Sequence, residues 1–182
     1  MSAGYADLTT RMIHCRHFPA RPRITMAASR HLKTLREIVR AHRSDGMPDL
    51  AALARDLGAA IHRHSGLLAD ELDALRRTDR FERWQVGAPL GDDTSVLIMT
   101  WPPGHATPVH DHAGLWGLEI TLYGALEVEN WRRETDGSLQ LRHREWLGAG
   151  DATWFEDGDA GEGLHRCRNL SRHDTALSLH VY

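Results

Sequence analysis

The sequence predicts a mainly β fold, an antiparallel sandwich or barrel of the jelly-roll kind with N-terminal helices packed on its flank. Two observations lead there. Beyond Arg80, short β-prone runs are punctuated by Gly, Asp and Pro about every 8–12 residues. Between Ala27 and Arg80, apolar residues instead recur at helical spacing. With 182 residues, the chain suffices for one domain with a sizeable core.

Taken in order, residues 1–26 carry arginines but lack the apolar middle of a secretory signal, so they are expected to be a disordered leader, with Met26 an alternative start. The single domain then spans 27–182, helical over 27–80 and barrel-forming over 81–182. SRHLKTLREIVRAHR (29–43) sets Leu32, Leu35, Ile38 and Val39 on one stripe. A second helix is expected over Asp49–His64, repeating Leu50, Leu53 and Leu57. A third, capped by Ser65, carries Leu68, Leu72 and Leu75. The expected strands are RFERWQVG (80–87), DDTSVLIMTW (92–101), GLWGLEITLYGALEVENW (114–131), LQLRHREWLGAG (139–150), DATWFED (151–157) and DTALSLHVY (174–182). Trp101, Trp131, Trp146 and Trp154 are expected to fill the barrel and its ends. His31, His42, His62 and His64, in the helical part, are expected to face solvent.

Composition removes several functions. A formal net charge of -3 and a pI near 6.5 leave no electrostatic footprint for nucleic acid or an anionic membrane. No apolar run approaches the roughly 18 residues that span a bilayer. Cys15 and Cys167 form no CxxC pair, which fits a reducing cytoplasm. Histidine is the outlier, with 13 in the chain. Composition is silent on oligomeric state.

One group of histidines has metal-ligand spacing. In HATPVHDHAGLWG (105–117), His110 and His112 are two residues apart. On a strand they share a face, while Asp111 points away. A lone HxH also fits two histidines on a half-exposed strand. The surroundings add weight: Gly104 stands six residues before His110, and GEGLHRCRN (161–169) places Asn169 four residues after His165. Together these are similar to the two motifs of cupin barrels, Gly-x5-His-x-His and His-x3-Asn, over residues 80–182. The resemblance implies a cupin jelly-roll in which His110, His112 and His165 converge on one metal. Many cupins add a glutamate shortly after the HxH. Gly117 holds that place here, and Glu119, two residues on, is expected to be a barrel-lining or surface carboxylate rather than a metal ligand. Cys167 is expected to be a small buried hydrophobe.

The last strand narrows the resemblance. In ALSLHVY, Ser178, His180 and Tyr182 share one face. Such a face can meet water, or it can act as a relay in which serine sets the imidazole tautomer and the imidazole orients the phenol. HDH, GLHR-x-x-N and SLHVY together resemble the thiol dioxygenases, the cysteine dioxygenase family. The resemblance implies Fe(II) on His110, His112 and His165 beside a Ser178–His180–Tyr182 relay. It also implies that a small thiol and O2 react to give a sulfinate. Mammalian members carry a cysteine after the HxH that crosslinks to the tyrosine; Gly117 in that place implies no crosslink, as in the bacterial branch.

Substrate choice in this family depends on what holds the carboxylate. Cysteine-selective members use an upstream arginine, and members of the 3-mercaptopropionate type carry glutamine. Gln85 is the expected counterpart, with Arg83 on the same face. The mercaptopropionate branch also finds an arginine beyond the tyrosine, whereas this sequence ends at Tyr182. The cationic anchor is therefore expected among Arg83, Arg166 and Arg168, with Trp116 lining the pocket. L-Cysteine remains the other substrate. Two further readings stay open: a dione-cleaving cupin dioxygenase, and a non-catalytic cupin that binds metal or ligand.

Overall fold

The computed structural model describes residues 23–24, 29–44, 46–77, 79–91, 94–112, 114–156 and 163–182. Cys15, Met26, Asp92, Asp93, Gly161 and Glu162 lie outside them. Of the expected leader, Arg23–Ile24 is described, and it forms a short strand, β1 (Arg23–Ile24).

Helix α1 (Arg30–Ala41) starts where Ser29 accepts a hydrogen bond from the Leu32 N–H at 3.1 Å. It buries Leu32, Leu35 and Val39. Helix α2 (Leu50–Glu71) starts at Asp49, whose carboxylate caps the Ala52 N–H at 2.9 Å. The expected break falls at His64, with φ -124 and ψ 19, where two helical segments meet across a kink within α2. Leu57, Ile61 and Leu68 are all buried along α2, so one apolar face carries the helix through the kink. A short helix, α3 (Asp73–Arg76), follows. His31 and His42 are not solvent decoration. His31 Nδ1 lies 2.8 Å from Glu71, which Ser29 also contacts, and His42 Nε2 lies 2.9 Å from Asp56, so both ends of the α1–α2 pair are tied.

The strands are β2 (Glu82–Val86), β3 (Val96–Trp101), β4 (Gly117–Tyr123), β5 (Leu126–Arg133), β6 (Leu139–Leu147), β7 (Ala152–Phe155), β8 (Leu164–Asn169) and β9 (Ala176–Val181). They form a six-stranded sheet, β1-β2-β3-β9-β4-β7, and a three-stranded sheet, β6-β5-β8. Apart from the parallel β1–β2 pair, the pairing is antiparallel. This two-sheet arrangement is a cupin jelly-roll.

Alternation along β3, β4 and β9 sends side chains into two cores. Val96, Ile98, Leu118, Ile120, Leu177, Leu179 and Val181 pack with the helices' Leu32, Leu35, Leu53 and Leu57. Leu97, Met99, Trp101 and Ala176 face the smaller sheet and meet Leu126, Val128, Leu147 and Cys167. The larger sheet is thus the middle of three layers, which is why every residue of β9 is buried, Ser178 and His180 included. α2 comes close to the barrel at Gly58, where a Cβ would lie 2.7 Å from the Gly150 carbonyl oxygen. Trp101 fills the interior as expected. Trp146 and Trp154 do not: 65% and 42% exposed, they stand on outward faces of β6 and β7.

Candidate metal centre

The HDH segment is not a regular strand. His110 pairs with His165 through an isolated bridge, and His112 lies beyond it. Convergence is produced by a backbone ladder. Residues 105–110 run antiparallel to β8, with hydrogen bonds from Asn169 N to His105 O, Thr107 N to Cys167 O, and reciprocally between His110 and His165 at 3.0 and 2.9 Å. The asparagine of the second motif locks the far end. Asn169 Nδ2 donates to the Trp101 and Asp174 carbonyls, each at 2.8 Å, and its oxygen accepts from Ser171 N. The two motifs therefore form one hydrogen-bonded unit.

This unit gathers the imidazoles. His110, His112 and His165 each offer a ring nitrogen, all within 4.8 Å of one another. His112 Nε2 and His165 Nε2 are 3.3 Å apart. His110 Nδ1 donates to the Pro108 carbonyl at 3.0 Å, which leaves Nε2 with its lone pair. Burial lowers His112 to a pKa of about 2, helped by repulsion from His165. His165 falls to about 4, again chiefly by burial, against the attraction of Glu119. Both rings are neutral at physiological pH, the state a metal requires.

The final strand supplies the polar chain beside them. Ser178 Oγ lies 2.7 Å from His180 Nε2, and His180 Nδ1 lies 2.9 Å from the Tyr182 hydroxyl. Two further members escape any reading of the last strand alone. Trp101 Nε1 donates to Ser178 Oγ at 2.7 Å, and Glu119 Oε1 lies 3.2 Å from His180 Nδ1. Register could have found both, since Met99 pairs with Ser178 and Glu119 with His180 on the same face. The ionised Glu119 carboxylate can only accept, which places the His180 proton on Nδ1, so Ser178, accepting from the indole, directs its own hydrogen at His180 Nε2. His180 then carries its proton on Nδ1, shared between Tyr182 and Glu119, and the phenol's hydrogen is left to donate elsewhere.

Glu119 lines the barrel, one of its two expected positions, and it is deeply placed: 5% exposed, 3.5 Å from His165 Nε2, and accepting from the Cys167 thiol at 3.2 Å. Burial pushes its carboxyl upward, but His180 and His165 outweigh that and hold it well below the usual carboxylate range. Cys167 is a free, buried thiol, pushed up by burial and by the Glu119 charge. Phe155 and Tyr182 pack on His112, with ring centroids 4.0 and 5.1 Å away. Gly117 lies between them, where a Cβ would sit 2.3 Å from Phe155 and 2.9 Å from Tyr182.

The expected substrate residues divide. Arg83 and Gln85 pair with Met99 and Leu97, so they share the interior face. The Gln85 amide approaches the Val96 carbonyl at 3.4 Å, and the Arg83 guanidinium sits 5.6 Å from the centre of the Phe81 ring. Three expectations need correcting. Arg166 and Arg168 alternate with His165 and Cys167, so they face outward, toward Glu129 at 3.7 Å and Glu127 at 2.8 Å. Trp116, one residue before Gly117, turns to the other side of the sheet and packs against the helix-side core.

Fold and site together define a cupin with a candidate three-histidine metal centre. A family profile described as cysteine dioxygenase type I matches residues 68–182, and the chain belongs to that family. It is 27% identical over 90 residues to cysteine dioxygenase type 1 of Rattus norvegicus and of Homo sapiens, a match covering 48% of this chain and 44% of either relative. Among solved structures, a cupin superfamily protein from Desulfitobacterium hafniense is similar over 57% of this chain and 78% of its own, at 11% identity and a TM-score of 0.40.

Proposed function

We propose that this protein is a mononuclear iron thiol dioxygenase that adds both atoms of O2 to the sulfur of a small thiol carboxylate, 3-mercaptopropionate or L-cysteine, to give a sulfinate. The observation that carries the reading is the Ser178–His180–Tyr182 chain ending against the His112 ring. The donor set fits a metal. Bonds of about 2.0–2.1 Å to neighbouring imidazoles put their nitrogens roughly 3.0–3.4 Å apart, and His112 and His165 stand at 3.3 Å. Three neutral nitrogen ligands leave positions open and suit iron among other first-row metals. Ferrous iron held there would supply a centre at which thiolate and dioxygen meet, sulfur being oxidised as dioxygen is reduced.

The chain's own residues would do the rest. The Pro108 carbonyl fixes the His110 tautomer. Glu119, with Trp101 and Ser178, fixes that of His180, which holds the Tyr182 oxygen so that the phenol donates toward the reacting groups. Arg83 is the candidate arginine on the interior face and is assigned the substrate carboxylate, with Gln85 beside it. A reducing cytoplasm would supply such thiols and keep Cys167 free.

The test is oxygen uptake by iron-loaded protein with 3-mercaptopropionate, L-cysteine and a diketone, with product mass recorded. One thiol is expected to yield its mass plus two oxygens. Tyr182→Phe should retain iron while kcat falls by about 10²-fold or more, and Arg83→Gln should raise KM. Stoichiometric iron with no uptake on either thiol refutes the proposal, and turnover of the diketone alone would favour the dione-cleaving reading.

A further inference from the structure

A second set of donors lies beside the imidazoles. Glu119, His165 and Cys167 are all buried and offer an oxygen, a nitrogen and a sulfur within 4.8 Å of one another. We propose that these residues form a second metal site, for a thiophilic divalent cation of the zinc class, which shares His165 with the three-histidine centre and therefore excludes iron from it.

Three observations support the site. First, the spacing suits a tetrahedral ion. Bonds of about 2.0–2.2 Å to nitrogen and oxygen separate those atoms by roughly 3.4 Å, and His165 Nε2 and Glu119 Oε1 are 3.5 Å apart. Second, Cys167 Sγ directs its hydrogen at Glu119 Oε2 from 3.2 Å. A cation between them takes the place of that shared proton and releases one proton to solvent on binding. Third, the carboxylate is buried without a cationic side chain. Among the described residues its hydrogen-bond and ion-pair partners are His165, His180 and Cys167, with no arginine or lysine. Burying an ionised carboxylate is expensive unless a cation compensates it. His180 Nδ1, 3.2 Å from Glu119 Oε1, holds the carboxylate in place.

Ligand softness separates the two sites. The three imidazoles contain no thiolate, whereas Cys167 selects zinc-like ions. Because both need His165, one chain holds one metal, and zinc acts as an inhibitor that iron must outcompete. The site does not rest on the dioxygenase reading, because ligation by sulfur is visible without turnover.

The experiment is zinc-edge X-ray absorption on metal-free Cys15→Ser protein given one equivalent of Zn2+, in which Cys167 is the remaining cysteine. One sulfur scatterer at about 2.3 Å is expected. It should vanish in the Cys15→Ser/Cys167→Ser protein, and Glu119→Gln should weaken zinc at least tenfold. A shell of nitrogen and oxygen alone overturns the proposal, as does binding of zinc and iron together at two metals per chain. A sulfur shell without any oxygen uptake would sink the dioxygenase reading and leave this one standing; uptake without the sulfur shell would do the reverse.

Discussion

Gly117→Ala tests how tightly the rings beside the candidate centre are packed. Gly117 lies within β4 and its φ is not positive, so alanine meets no backbone obstacle. The obstacle is steric. The new Cβ would lie 2.3 and 2.6 Å from Phe155 ring carbons and 2.9 Å from Tyr182 Cδ1, where ordinary contact begins near 3.4 Å. Phe155 cannot swing away without leaving the His112 ring, on which it stacks at 4.0 Å. Overpacking of this kind costs about 1–3 kcal/mol, and the lower entropy of the unfolded alanine chain offsets about 0.4–1 kcal/mol. A net loss of about 1.3 kcal/mol at the middle of these ranges, and of up to about 2.6 kcal/mol, is expected, at about 2–4 °C of Tm per kcal/mol for a chain of this size. The assay is a double-mutant cycle by thermal unfolding of Gly117→Ala, Phe155→Ala and the pair. With Phe155 truncated the closest clash disappears, so most of the alanine penalty should vanish. An equal penalty in both backgrounds, or none in either, would refute the packing argument.

Other perturbations reach different parts of the molecule. Ser178→Ala leaves the Trp101 N–H and His180 Nε2 buried without their shared partner, so stability should drop by about 1–3 kcal/mol in chemical denaturation, and turnover should drop with it. Gly58→Ala drives a methyl to 2.7 Å from the Gly150 carbonyl and should lower Tm despite alanine's better helix propensity. Metal-free protein should lose stability as pH falls below about 6.5, where unfolded imidazoles take protons. Folded His165 resists protonation down to about 4 and His112 to about 2, so the unfolded state binds more protons across that window. His165→Asn should flatten the profile, and an unchanged slope would contradict the burial argument.

Much of this was legible in the chain. Helical stripes around Leu32, Leu35 and Leu57 marked the flanking helices, and alternation in ALSLHVY placed Ser178, His180 and Tyr182 on one face. His110, His112 and His165 were identifiable through the resemblance of their two motifs to those of cupin barrels, and the ring nitrogens do lie within 4.8 Å of one another. Reading failed where a role depends on what lies across a sheet. Arg166, Arg168 and Trp116 are near the motifs in sequence, but the two arginines lie on the outer face of β8 and Trp116, just before β4, packs toward the helices. His31 and His42 looked like surface residues until the helices brought Glu71 and Asp56 beside them.

By itself, then, the sequence determined the elements, their buried faces and the residue types able to hold a metal, because periodicity and spacing are local properties of a polypeptide. Tertiary structure alone decided that Trp101 braces Ser178, that Glu119 sits between His165, His180 and Cys167, and that Gly117 is clamped by two rings. Those contacts join residues far apart in the chain, and their partners are selected by strand register and layer packing, which no short stretch of sequence encodes.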